Sequence, residues 1–101
     1  MVKTIGLYKL KDVSKIDECV AAFKLFAESI PEIKASEIGK DILKVDGVTF
    51  DFTVMNTFEN KEAFAAFREH PVHKAKSAWL LEQWADIKMV MIDLDEAVRV
   101  G

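Results

Sequence analysis

The chain opens on period-two alternation and then switches to a helical period, and this change of period recurs to its end. Ile5 and Leu7 alternate with Thr4, Gly6 and Tyr8, predicting a strand over residues 2–10 that stops at Lys11-Asp12. Neither of its faces is strongly polar. Ser14 and Asp17 have capping-box spacing, and Ile16, Cys19, Val20, Phe23, Phe26, Ala27 and Ile30 then recur at helical intervals up to Pro31. Residues 33–40 suit a short polar strand that tolerates a sheet edge, closing at Gly39, and Asp46-Gly47 marks a turn. The next strand is expected over 48–58, with Phe50, Phe52 and Val54 on a core face and Asp51, Thr53, Met55 and Thr57 opposite.

Asn60 can cap a helix whose inner face carries Ala63, Phe64 and Phe67. Pro71 cannot continue that helix and pushes His70 out of the α region, so a second helical piece starts at Pro71 and runs to about Trp84. Residues 87–94 are apolar on both faces and predict a last strand that must be covered on both. The order β-α-β-β-α-β, with the second helix broken at Pro71, fits an α+β, ferredoxin-like plan: an antiparallel four-stranded sheet with helices on one side. Ile5, Leu7, Met55, Val90 and Ile92 then fall on the uncovered face. So large an apolar patch asks for a partner sheet, most simply from a two-fold homodimer.

Half of the 101 residues are hydrophobic, which fits one domain over residues 1–101 that buries roughly two thirds of its unfolded surface. With 14 basic against 17 acidic residues the net charge is -3, which gives no general attraction to nucleic acid or to a membrane surface. The lone Cys19 allows no internal disulfide, as is usual in a reducing compartment. Lys3 precedes any apolar run of signal length, so a cytoplasmic location is expected.

Three pieces carry a family resemblance: Leu7-Tyr8-Lys9-Leu10-Lys11-Asp12, Glu37-Ile38-Gly39-Lys40-Asp41, and Thr57-Phe58-Glu59-Asn60 running through to His70-Pro71-Val72-His73. Together they closely resemble the stress-responsive α/β-barrel (Dabb) domains over nearly the whole chain. The most specific part is the aromatic helix ending in His-Pro-x-His. The resemblance implies a dimeric α+β barrel made of two sheets, and its best understood enzymes are plant polyketide cyclases that form olivetolic acid. In that cyclase type the second histidine of the turn is the acid/base, aided by a tyrosine on the preceding helix and a histidine on the first strand. Those places fall here on His73, Phe67 and Thr4. Phe67 cannot hydrogen-bond and Thr4 cannot titrate near neutral pH, so the mechanism does not transfer as a unit. Tyr8, of the same parity as Thr4, offers a hydroxyl from a different position.

His73 is therefore the expected catalytic group, because imidazole titrates near neutral pH. Its bland alternative is a packing or capping role, and His70 is expected to make a hinge hydrogen bond rather than do chemistry. Gly6, lacking a side chain between Thr4 and Tyr8, marks a place where a gap can open. A small apolar ligand, aromatic or acyl, is expected there, bounded by Thr4, Tyr8, Phe52, Phe67 and Trp79. No metal site and no cofactor are expected, since two histidines and one distant cysteine make no zinc set. Cys19 reads as a small core hydrophobe, and the charges Lys61, Glu62, Arg68, Glu69, Lys74 and Lys76 as a solvated helix face. The function expected is binding of that ligand, with cofactor-free proton transfer by His73 of a cyclase, lyase or isomerase kind. The alternatives are a non-catalytic stress or assembly protein with a filled core, and a cofactor-independent monooxygenase of the related dimeric-barrel type.

Overall fold

A computed structural model describes residues 1–101. The order is β1 (Val2–Leu10), a 3-10 turn (Val13–Lys15), α1 (Ile16–Ser29), β2 (Ala35–Lys40), β3 (Phe52–Phe58), α2 (Lys61–Glu69), α3 (Pro71–Gln83) and β4 (Trp84–Asp93). The strands form one antiparallel sheet in the order β2-β3-β1-β4, and the helices cover one side of it. The architecture is the α+β, ferredoxin-like one. No helix is long and apolar enough to cross a membrane.

Side-chain parity builds the core. Tyr8 and Leu10 of β1 and Phe52, Val54 and Phe58 of β3 turn inward onto Cys19, Ala22, Phe23 and Phe26 of α1, with Phe67 of α2 and Leu80 of α3 closing the end. Cys19 is fully buried, and burial raises its thiol above the ordinary value, as for a packed small hydrophobe.

Four local expectations are corrected. The Ser14 capping box is absent: the Asp12 carboxylate instead accepts from the Ser14 hydroxyl at 2.7 Å and its N–H at 3.0 Å. These bonds start a 3-10 turn, and α1 begins only at Ile16. β3 begins at Phe52 rather than Val48, because Val48 and Thr49 both donate to the Val45 carbonyl, at 3.1 and 3.0 Å. Asp41 accepts from Leu43 and Lys44, and Lys44 and Gly47 take the left-handed backbone (φ 54° and 74°) that such a turn requires. Phe50 is thereby half-buried in the loop and does not extend the core face. β4 starts at Trp84, whose partner is Leu10 across a bulge, so the strand takes over directly from α3. Finally, the space beside Gly6 is not empty. The Tyr8 ring lies over it, with the hydroxyl oxygen 2.7 Å from where a Cβ would stand.

The uncovered face has the expected composition. Met55, Ile5 and Val90 are register partners across β3, β1 and β4, and Leu7 and Ile92 share their side of the sheet. Leu7 is 39% and Val90 52% exposed, so this side of the single chain is open. The same side also carries charge: Lys3 of β1 reaches Glu37 of β2 at 3.0 Å, Lys88 of β4 pairs in register with Leu7, and Lys9 pairs in register with Asp86.

Candidate functional site

A cleft of about 560 Å³ lies between the inner face of the sheet and the α2–α3 pair. Thr4 and Tyr8 of β1, Val54 and Asn56 of β3, Phe67 of α2 and His73 and Leu80 of α3 all line it, with Ile87 and Met89 on the edge strand. Arg68, Glu69 and Lys74 also contribute to its wall, and Lys74 pairs with Glu69 at 2.8 Å.

The hinge positions His73. His70 is extended (φ -64°, ψ 137°), its ring Nδ1 accepts from the Val72 N–H at 3.2 Å, and Pro71 occupies the first helical position. His70 is thus the cap of α3, and His73 falls in the first turn that follows. Its ring meets the Phe67 ring edge-on at 4.6 Å and tilts against Phe26 at 5.2 Å. Nδ1 of His73 is buried without a well-formed hydrogen bond, and the Arg68 backbone is near enough to act on the ring only weakly.

Burial among these rings holds the His73 imidazole below its ordinary value of 6.5; the Arg68 backbone pulls it back, the Arg68 guanidinium lowers it further, and Glu69 opposes. The neutral form is the one the fold favours. The sign follows: with a folded value below the unfolded one, His73 contributes stability in full above about pH 6.5, and this is lost as pH falls toward the folded value. Between pH 7.5 and 5, the melting midpoint is expected to fall further for wild type than for His73→Gln. Parallel curves from calorimetry would contradict this.

Tyr8 supplies the second group. Phe52 stacks on its ring at 5.0 Å and 17°, and Trp84 and Phe23 hold its other sides at 4.7 and 5.1 Å. Burial pushes its hydroxyl up to about 12, so at neutral pH it stays protonated, able to donate or accept a hydrogen bond but not to act as a phenolate base.

The structure brings Thr4, Tyr8, Phe67 and His73 into one wall. Phe52 and Trp79 lie elsewhere. Phe52 stands behind Tyr8 and borders a separate hollow of about 430 Å³ under the β2–β3 loop. Trp79 is half-buried on α3 and packs against the core, while its helix neighbour Leu80 reaches the cleft. Asn56 is the lining residue that the alternation pattern held but aromatic composition obscured, since it shares the parity of Phe52, Val54 and Phe58. No three His, Cys, Asp or Glu side chains gather as a metal set.

Comparison with known proteins agrees with this architecture. The sequence matches the description "Stress responsive A/B Barrel Domain" over residues 2–95. It is 34% identical over 80 residues to the stress-response A/B barrel domain-containing protein At5g22580 of Arabidopsis thaliana, covering 75% of this chain and 70% of that one. The fold superposes on a dimeric ferredoxin-like protein of unknown function from Thermobifida fusca with a TM-score of 0.79 and 26% identity, covering 92% and 90% of the two chains. At3g17210 of A. thaliana gives 0.80 at 25%, covering 100% and 99%. A hydroxynitrile lyase from Passiflora edulis gives 0.81 at 18%, covering 97% and 96%, and shares the fold alone. The chain belongs to the stress-responsive A/B barrel (Dabb) domain family.

Proposed function

We propose that this chain works as a homodimer joined through its open sheet faces, and that each cleft binds a small, largely apolar molecule, aromatic or acyl, against His73. The supporting observation is the meeting of a cleft of about 560 Å³ with a buried ring nitrogen that lacks a well-formed hydrogen bond, on a histidine whose neutral form its surroundings favour. For chemistry, neutral His73 is a base able to take a proton from a weakly acidic C–H or O–H. The protonated Tyr8 hydroxyl is a donor for oxygen that gains charge when that proton leaves. The toolkit needs no bound cofactor, and it fits cyclase, lyase or isomerase proton transfer. The similar ferredoxin-like protein from Thermobifida fusca, described as dimeric, supports the association.

Calorimetric titration with small phenolic and acyl compounds tests the site. Wild type is expected to bind at least one of them, and His73→Ala to bind it several-fold more weakly. Equal and negligible binding by both proteins would sink the reading.

A further inference from the structure

Apart from the Tyr8 hydroxyl, the buried side chains on the inner face of the sheet are apolar except along one row. Ser36, Asn56 and Thr4 are successive register partners across β2, β3 and β1, all on the helix side. The Thr4 hydroxyl donates one long bond, 3.4 Å, to the Asn56 backbone carbonyl. The Asn56 side chain is otherwise alone: the residue is 6% exposed, and its Oδ1 is buried without a partner, as is Ser36 Oγ beside it. A buried amide oxygen left unpaired is costly, and native interiors seldom carry one without a bound molecule or an ordered water to satisfy it.

Resting on the ligand-binding reading above, we infer that Asn56 is a specificity-determining residue of the cleft, whose amide holds a hydroxyl-bearing head, phenol or enol, of the bound molecule. A hydroxyl can donate to the unpaired amide oxygen of Asn56, which a methyl group cannot. Val54, Phe67 and Leu80 supply the apolar wall that an attached ring or chain needs. His73 borders the same cleft, so the head that Asn56 orients is presented in the compartment of the base. The competing arrangement is internal: rotation of the amide toward Ser36 would pair the two side chains and leave ligand preference untouched.

Two isosteric probes separate these, 4-ethylphenol and 4-ethyltoluene, in which a methyl group replaces the hydroxyl. Affinities are read by ligand-observed NMR titration as the ratio of phenol to toluene binding, which cancels the difference in their hydration between proteins. Asn56→Leu is expected to lower that ratio roughly tenfold, the worth of one hydrogen bond, while melting no lower than wild type. Asn56→Thr, which suits a strand and keeps a hydroxyl, serves if the leucine variant does not fold, and is expected to lower the ratio by a smaller factor. An unchanged ratio in the folded variant overturns the role of Asn56 while the cleft stands as a binding site. Failure of wild type to bind either probe overturns both readings.

Discussion

Phe26→Ala is expected to destabilise the protein by about 3–5 kcal/mol, the usual cost of emptying a phenylalanine site in a packed core. Phe26 is 0% exposed, meets Phe23 and Phe67 edge-on at 5.7 and 6.0 Å, and tilts against His73 at 5.2 Å. The lost ring leaves a hole with few ways to collapse, because α1 and β3 are tied to their neighbours by aromatic contacts on several sides. For a domain of this size the melting midpoint is expected to drop by more than about 10 °C. A second consequence separates this change from an ordinary core deletion. Phe26 is part of the apolar surround that disfavours the imidazolium, so its removal admits water and raises the His73 titration toward 6.5. Phe26→Leu, which keeps most of the volume, is expected to show a smaller loss of stability and a smaller rise. A destabilised variant with an unmoved His73 titration would mean that Phe26 does not shape the site.

Val90→Asp is expected to abolish the dimer while leaving the protomer folded. Val90 is 52% exposed on the edge strand and lies in one row with Ile5 and Met55, so within a single chain the carboxylate remains in water. In a two-fold dimer joined by these faces, each substitution enters twice and each new charge is buried against apolar side chains. An uncompensated buried charge costs about 3–5 kcal/mol, so the paired cost approaches the whole affinity of a micromolar dimer. Sedimentation velocity at micromolar concentration is expected to show dimeric wild type and monomeric variant. A variant that stays dimeric would place the interface elsewhere.

Both outcomes depend on features of unequal visibility in the sequence. The His70-Pro71 hinge is legible because proline constrains its own φ and the residue before it, whatever the tertiary setting. The open face is legible for a similar reason, since parity along β1 and β4 is fixed by the pleat. The start of β3 is not. Val48 to Phe58 alternates throughout, but the chain from Asp41 to Thr49 is claimed by side-chain and backbone bonds to Asp41 and Val45, which alternation does not register. α3 hides its orientation: Trp79, Leu80 and Leu81 are consecutive apolar residues, and only packing decides that Leu80 and not Trp79 reaches the cleft. The Tyr8 ring over Gly6 is a long-range arrangement, because Phe52, Phe23 and Trp84 come from three other elements to hold it. Asn56 is the instructive case. Its parity placed it on the core face, yet a polar residue among aromatics reads as a strand filler until its missing partners are seen.

The central claim is that His73, and not His70, borders a cleft that takes a small apolar ligand. It is tested most directly by NMR of the ring nitrogens in protein labelled at its two histidines, titrated first with acid and then, at neutral pH, with 4-ethylphenol. His73 is expected to titrate below 6.5 and to shift with the phenol, while His70, whose Nδ1 is engaged by the Val72 N–H, keeps its signals through the phenol titration. Ring signals of His73 that stay still at phenol concentrations far above the millimolar range would contradict it.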